Sequence, residues 1–203
     1  MVKLIIFDCY GLILNAGYPN TSKELAKRYG GNWKTYQQKM YSEYFNLAAI
    51  RKISQKEAWQ KTVEYFNLPI TWQQLRDVHY KLMKIDNRVL VVNRDLNRRG
   101  YVTLLLTKNT RSQFVDAIVK KFRLRNEFKN IINTWELNLP KASKKTLRVV
   151  MKRFNVTPRE IVYADDQESN LVDAKALGMK TVLVKSFSQF NKELNIYLDH
   201  DQK

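Results

Sequence analysis

The chain has 203 residues, 44% of them hydrophobic, and its 36 Lys and Arg against 19 Asp and Glu give a net charge of +17. The apolar fraction is enough for a folded core and excludes a disordered chain, and the length suits one domain or one domain with an inserted lobe. The basic residues are spread along the chain with no run of five, so a solvated basic surface is favoured over a nucleic-acid site, which stays possible.

A single cysteine, Cys9, excludes an internal disulfide and permits a reducing compartment. No stretch approaches the roughly 18 apolar residues of a membrane span, and Asp8 interrupts the apolar N-terminal segment that could otherwise suggest a signal peptide. We therefore expect a cytoplasmic protein with no membrane segment, present as a monomer or a homodimer.

The first predicted element is a short buried strand, KLIIF at residues 3–7, bounded by Asp8 and Gly11. Residues 16–86 then show about four amphipathic helices with no strand between them, which predicts a small helical bundle. Aromatic residues recur in this region at helical spacing, so a bundle core is favoured over a surface that stacks on a substrate. These aromatic residues are Trp33, Tyr36, Tyr41, Tyr44, Phe45 and Trp59.

From residue 87 onward, helices alternate with four predicted strands, YVTLLL, FKNIINT, EIVYA and KTVLV. Such alternation with short connections predicts a parallel α/β sheet with right-handed crossovers. We therefore expect a Rossmann-like α/β core from residues 1–15 and 87–203, with an inserted helical cap at 16–86 over the carboxyl ends of the strands, where open parallel sheets bind ligands. The final residues, YLDHDQK, are interpreted as a polar tail, and His79 and His200 as surface histidines.

Polar residues with complementary chemistry follow the predicted strands. Asp8 follows LIIF, Thr107 follows VTLLL, Asp165 and Asp166 follow EIVYA, and Lys141 comes a few residues after NIINT. A parallel sheet brings these positions together at one edge, where carboxylates suit Mg²⁺, the lysine would neutralise charge and the threonine would donate to phosphate oxygens. A carboxylate can also attack phosphorus and form an aspartyl-phosphate.

Simpler interpretations of the same residues remain open. The two adjacent aspartates could do no more than cap the helix that follows them. Two nearby lysines, Lys144 and Lys145, compete with Lys141 for the role of the site cation.

These motifs resemble those of the haloacid dehalogenase-like hydrolases, in the subclass with a helical cap between the first and second motifs. DCYGLIL resembles the first motif, LLLTKN the second, and YADDQESNLVDAKALGM the fourth, while counting back from Val156 places the third-motif lysine at Lys141. The resemblance implies that Asp8 is the nucleophile and first metal ligand, and that the carbonyl of Tyr10 is a second ligand. Asp165, Asp166 or both would complete a Mg²⁺ site.

The resemblance also implies that Thr107 and Asn109 hold the phosphoryl group, although Lys108 separates two residues that are adjacent in the family. Asn170 would brace the loop of the fourth motif. A second departure is Tyr10, because phosphatases of the family carry an aspartate there, whereas the dehalogenase branch carries tyrosine.

Dehalogenases of the family use a cap arginine to hold the carboxylate of the substrate, and Arg51 is the candidate here. The candidate substrate-binding residues are thus Tyr10, Asn109 and Arg51. The favoured function is a Mg²⁺-dependent phosphatase for a phosphorylated small molecule, slowed by the missing aspartate. The alternatives are a non-catalytic phospho-ligand or nucleic-acid binding protein, and a metal-independent 2-haloacid dehalogenase.

Overall fold

The first strand, β1 (Leu4–Asp8), is the central strand of a five-stranded parallel sheet in the order β3-β2-β1-β4-β5. We analysed a computed structural model, which describes residues 1–15 and 17–199. The other strands are β2 (Val102–Thr107), β3 (Asn130–Asn133), β4 (Ile161–Asp165) and β5 (Lys180–Leu183). The predicted fold class, a parallel α/β sheet with helices, is confirmed.

The first four residues of β1, LIIF, are all apolar because both faces of the sheet are covered by helices. Side chains alternate across a strand, so Ile5 and Phe7 enter one hydrophobic cluster and Leu4 and Ile6 enter the other. On the first side, Phe7 contacts the ring of Phe128 with the centroids 5.6 Å apart. The hydrophobic clusters on the two faces of the sheet hold the strands in place, and with them the polar residues at the strand ends.

The core helices follow the strands in the predicted alternation. They are α6 (Asn87–Arg98), α7 (Arg111–Gln113) continued by π-helical turns over Phe114–Lys121, α8 (Leu124–Glu127), α9 (Lys144–Phe154), a 3₁₀ turn (Pro158–Glu160), α10 (Glu168–Ala176) and α11 (Phe187–Asp199). Helix α11 was not among the predicted elements. It buries Phe190, Leu194 and Leu198, four residues apart, in the same cluster as Phe7. The first residues of the expected polar tail therefore belong to α11, and residues 200–203 lie outside the described part.

Between residues 17 and 82, every described secondary-structure element is a helix. These elements are α1 (Gly17–Tyr29), α2 (Trp33–Gln37) continued by π-helical turns (Gln38–Phe45) and α3 (Asn46–Ala49), then α4 (Gln55–Tyr65) and α5 (Trp72–Leu82). Ser54 and Glu57 form a capping box at α4, as do Thr71 and Gln74 at α5. We call this region the cap; its boundaries as a separate domain stay a prediction.

The cap has its own hydrophobic cluster, built largely from aromatic rings. Tyr36, Phe45 and Trp59 are buried in it, and Tyr41 is partly buried against it. The expectation that His79 lies on the surface is wrong: it is fully buried, with its ring 4.5 Å from that of Tyr18. His200 lies outside the described residues.

No helix in residues 1–15 and 17–199 combines the length and the apolar character that crossing a bilayer requires. The cytoplasmic location and the oligomeric state stay predictions.

Candidate active site

Two aspartates lie at the same edge of the sheet because their strands are paired in parallel. β1 and β4 are in register with Phe7 opposite Ala164, so Asp8 and Asp165 both end their strands at the carboxyl edge. Lys141 joins them: its Nζ lies 2.5 Å from Asp8 Oδ1 and 2.7 Å from Asp165 Oδ2. The two aspartates are buried and the Lys141 side chain is only 13% exposed, which strengthens the attraction and makes each partner necessary to the others.

Asp165 has its oxygens fully engaged by donors. Besides Lys141, its Oδ2 accepts from the Tyr163 hydroxyl at 2.8 Å, and its Oδ1 accepts from the backbone N–H of Gln167 at 2.9 Å. Asn170 Nδ2 donates to both oxygens, at 3.0 and 3.2 Å. Asp165 thus orients Lys141 and ties the loop after β4 to the sheet, and Asn170 contacts this loop as the resemblance implied.

Asp166 is in the opposite situation. Its Oδ1 is buried and has no hydrogen-bond partner among the described residues. Burial, followed by the charge of Asp165, raises the pKa of Asp166. A buried carboxylate oxygen without a donor is costly, and a bound cation would satisfy it.

Asp8, Asp165 and Asp166 each offer an oxygen, and these oxygens lie within 4.8 Å of one another. The donor set is made of oxygen alone, which suits a hard cation such as Mg²⁺ better than a soft metal. Since Asp165 is already saturated by donors, Asp166 and Asp8 are the carboxylates with ligand capacity left. The residues present therefore fit a magnesium ion.

Gly11 gives the turn after β1 the space to pass beside Asp166. Its φ is +94°, and a Cβ at this position would lie 2.1 Å from Asp166 Oδ2. The glycine of DCYG therefore serves two purposes, since it adopts a left-handed conformation and leaves room for the carboxylate.

Burial and the charges of Asp165 and Asp166 together raise the pKa of Asp8 to about 8, although Lys141 acts to lower it. Burial alone would lower the pKa of Lys141, but the adjacent carboxylates outweigh it and raise that pKa. The lysine therefore stays an ammonium, and a proton competes with any cation for the aspartate cluster.

The loop after β2 is held by paired asparagines. Asn133 accepts from the backbone N–H of Asn109 and donates to its carbonyl, both at 2.9 Å, and Asn109 Nδ2 donates to Thr107 Oγ1 at 2.6 Å. Asn109 is fully buried, and its Oδ1 has no partner among the described residues. These contacts position Thr107 at the edge of the sheet beside the aspartates.

Lys108 was not among the predicted site residues, yet it lines the cavity above the aspartates. It is half-buried, it forms no ion pair within the described part of the chain, and burial lowers its pKa. The available signal was its place in the sequence, directly after Thr107, the last residue of β2.

The phenol of Tyr10 belongs to a chain of hydrogen bonds that joins the cap to the core. Gln113 Nε2 donates to Tyr10 Oη at 3.2 Å, and the Tyr18 hydroxyl donates to Gln113 Oε1 at 3.4 Å. Since Tyr10 Oη accepts from Gln113, its own proton is free for another acceptor, and Tyr10 lines the cavity. Gln113 and Tyr18 are further site residues that the sequence analysis missed.

A cavity of about 640 Å³ separates the cap from the edge of the sheet. The structure brings Asp8, Tyr10, Thr107, Lys108, Asn109, Lys141 and Asp166 to its wall. A cavity of this size is typical of small-molecule sites.

Arg51 does not line this cavity. Its guanidinium lies over the ring of Trp135 at 4.3 Å and donates to the carbonyl of that residue, while Trp135 Nε1 donates to the Ala48 carbonyl at 3.3 Å. The structure thus corrects the interpretation of Arg51 as a substrate contact, since its cation is committed to a clamp between cap and core.

The sequence profile described as haloacid dehalogenase-like hydrolase matches residues 5–184. Two curated relatives are bifunctional epoxide hydrolase 2 of Rattus norvegicus, 28% identical over 102 residues, and that of Sus scrofa, 25% identical over 114 residues. These alignments cover 49% and 55% of this chain but only 18% and 20% of the relatives, so the chain matches about a fifth of their length.

Among solved structures, a HAD-family enzyme of Bacteroides thetaiotaomicron in complex with magnesium and inorganic phosphate has a TM-score of 0.70 at 18% identity, covering 92% of this chain and 96% of that one. The L-2-haloacid dehalogenase of Xanthobacter autotrophicus, with chloropropionic acid covalently bound, has a TM-score of 0.67 at 18% identity, covering 97% and 83%. At these identities the similarity shows the fold, and the profile match shows the family. The chain belongs to the haloacid dehalogenase-like hydrolases.

Proposed function

We propose that this hydrolase is a Mg²⁺-dependent phosphatase that transfers the phosphoryl group of a phosphorylated small molecule to Asp8. The observation that carries the proposal is the unpartnered buried oxygen of Asp166, which lies in the cluster that also contains Asp8. A dehalogenase that attacks carbon needs no cation there. The similar fold of the Bacteroides enzyme, solved with magnesium and phosphate, supports the same interpretation.

Asp8 and Asp166 would hold the ion, with the Tyr10 carbonyl as the third protein ligand that the family resemblance implies. Magnesium bound there would withdraw negative charge from the phosphoryl oxygens. Lys141 does not neutralise three carboxylates by itself, so a dianionic phosphate also needs the second cation of the cavity wall, Lys108. Thr107 would donate a hydrogen bond to a phosphoryl oxygen.

Asp8 is oriented for attack by two donors on the same oxygen. Lys141 and the backbone N–H of Cys9 both bind Oδ1, which fixes the rotation of the carboxylate and leaves Oδ2 as the oxygen available to the cation and to phosphorus. A bond forms from Oδ2 to phosphorus while the ester P–O bond breaks, and the departing oxygen takes a proton from solvent. Water then attacks phosphorus and the bond between phosphorus and Asp8 Oδ2 breaks, which releases phosphate, returns a proton to solvent and regenerates the Asp8 carboxylate.

The departing oxygen can receive a hydrogen bond from Tyr10, whose proton is not used by Gln113. A phenol is a poor base at neutral pH, so the water step lacks the assistance that an aspartate would give. We therefore expect slow turnover limited by opening of the phosphorylated Asp8.

The test is hydrolysis of phenyl phosphate with and without Mg²⁺, by wild type and by Asp8→Asn. We expect release of phenol that depends on magnesium and is lost in Asp8→Asn. Hydrolysis that persists in the variant, or that ignores magnesium, contradicts the proposal. Phosphate binding without hydrolysis, measured by calorimetry, would instead favour a non-catalytic phospho-ligand protein.

The second candidate is a metal-independent 2-haloacid dehalogenase. The observation in its favour is the phenol of Tyr10 at the cavity wall, two residues after Asp8. Against it, Arg51 is engaged by Trp135 and no arginine lines the cavity within the described residues. Release of chloride from 2-chloropropionate without magnesium would establish it.

A further inference from the structure

The cap side of the cavity differs in character from the core side. We propose, resting on the proposed phosphatase function, that the cavity selects phosphate monoesters whose leaving group is uncharged and carries a flat ring. Every described cap residue that lines the cavity is uncharged, and three of them are aromatic: Tyr18, Tyr41 and Phe45.

These three rings form a continuous wall. Tyr41 and Phe45 are stacked with their planes 13° apart and their centroids 5.4 Å apart, and Tyr18 lies 5.1 Å from Tyr41 and 5.0 Å from Phe45. Phe45 is 6% exposed and Tyr18 also 6%, so packing holds both rings in place before any ligand enters. A wall of fixed rings favours a flat ligand ring, which can stack or meet it edge to face.

Two side-chain amides, those of Gln37 and Asn46, border this wall. They can form hydrogen bonds with a ligand without carrying a charge. Gln37 lies four residues before Tyr41, on the same face of its helix, and its side chain has no hydrogen-bond partner in residues 1–15 and 17–199. Asn46 donates from Nδ2 to the Ser42 carbonyl, which leaves its Oδ1 as an acceptor at the exposed rim. An uncharged donor or acceptor on the leaving group could pair with either amide.

The cations are all on the other side. Among the described lining residues only Lys108 and Lys141 are basic, and both belong to the loops that surround the phosphoryl position. A carboxylate or second phosphate on the leaving group would lose water at the cap wall and find no cation there. Despite a net charge of +17, the interior of the cap therefore disfavours an anionic leaving group.

The cavity volume supports a leaving group of appreciable size. A phosphoryl group occupies a small part of about 640 Å³, so most of the contact area must come from the remainder of the substrate. Three rings and two amides on that surface make it the part of the cavity that distinguishes substrates.

The test compares kcat/KM with magnesium for three esters of primary alcohols: benzyl, 4-carboxybenzyl and cyclohexylmethyl phosphate. We expect kcat/KM for benzyl phosphate to exceed that for each of the other two esters by about tenfold or more. The leaving group of 4-carboxybenzyl phosphate is anionic, and that of cyclohexylmethyl phosphate is not flat. Equal values for benzyl and 4-carboxybenzyl phosphate, or a preference for the anion, overturn the inference. No magnesium-dependent hydrolysis of any ester overturns the proposed function instead.

Matched variants test the position of the wall. Gln37→Lys places a cation on it, and should raise the ratio of 4-carboxybenzyl to benzyl phosphate about tenfold. Gln38→Lys adds the same charge to an exposed neighbour outside the cavity and should leave the ratio unchanged. An equal change of the ratio in both variants would mean that net charge, and not the cap wall, sets the preference.

Discussion

Gly11 and Asp166 are so close that a Cβ on the glycine would lie 2.1 Å from Asp166 Oδ2 and 2.2 Å from its Cγ. We expect Gly11→Ala to displace the Asp166 carboxylate from the cluster and abolish magnesium-dependent hydrolysis. Thermal shift with increasing Mg²⁺ measures the loss of metal binding independently of activity.

Gly100→Ala is the matched control for this prediction. Gly100 has a similar φ, +88°, but a Cβ there would meet nothing within 4 Å. Both variants carry the cost of a left-handed alanine, about 1–2 kcal/mol in the free energy of unfolding. Normal magnesium binding in Gly11→Ala, or loss of binding in Gly100→Ala, would contradict the prediction that metal binding depends on the close contact between Gly11 and Asp166.

Lys108→Met should weaken the binding of the phosphoryl group. A charge-assisted hydrogen bond contributes about 1.5–3 kcal/mol, so kcat/KM should fall roughly 10- to 100-fold. Steady-state kinetics with phenyl phosphate measures it, and Lys192→Met, an exposed change of the same charge on α11, is the control. A similar loss in both variants would indicate long-range attraction by the basic surface and not a contact in the cavity.

Tyr10→Asp should raise kcat by about 10- to 100-fold, the lower part of the range for general acid–base catalysis. A carboxylate two residues after Asp8 could activate the water that opens the phosphorylated enzyme. The asparagine of Tyr10→Asn has nearly the same shape as the aspartate of Tyr10→Asp but cannot accept a proton from water. Tyr10→Asn should therefore show no gain in kcat. Stopped-flow measurement of a burst followed by a faster steady rate in Tyr10→Asp would locate the effect at the water step.

The sequence indicates the fold and the cluster because both follow from strand ends. Short apolar runs end at Asp8 and Asp165. Because the carboxyl ends of parallel strands lie at the same edge of a sheet, these two residues lie at one edge. The family profile and the sheet confirm the predicted family and fold class. The inserted helices were also recognisable, since their polar caps and apolar stripes are local signals.

Other properties depend on contacts between distant segments. Asp165 and Asp166 look alike in sequence, and only the donors from Lys141, Tyr163 and Asn170 distinguish the braced carboxylate from the free one. Likewise, π-helical winding over Gln38–Phe45 decides which rings face the cavity and which enter the cap core, and helical spacing alone does not contain that information.

Arg51→Ala should weaken the clamp between cap and core without changing substrate preference. The cation–π contact with Trp135 contributes about 0.5–1 kcal/mol at an exposed site, and the hydrogen bond to the Trp135 carbonyl adds to it. We expect kcat/KM to fall by a similar factor for benzyl and 4-carboxybenzyl phosphate. A selective loss for the carboxylated ester would show that Arg51 holds a substrate carboxylate after all.

His79 should make the folded protein less stable in mild acid. Burial lowers its pKa to about 3, and its Nδ1 is 2.8 Å from Thr21 Oγ1, which in turn donates to the Gly17 carbonyl. Nδ1 therefore carries the proton, and Nε2 is a buried acceptor without a partner among the described residues. Protonating Nε2 would bury a charge, so the folded state resists it.

The unfolded chain takes up this proton near pH 6.5 while the folded chain does not, so the free energy of unfolding falls as the pH drops below about 6.5. At pH 5 this amounts to on the order of 2 kcal/mol relative to pH 7.5. Denaturant unfolding at these two pH values should show that loss of unfolding free energy in wild type. The loss should be smaller in His79→Gln, which lacks the histidine but keeps all other titrating groups. Equal losses in the two proteins would mean that His79 is protonated in the folded state or exposed by opening of the cap.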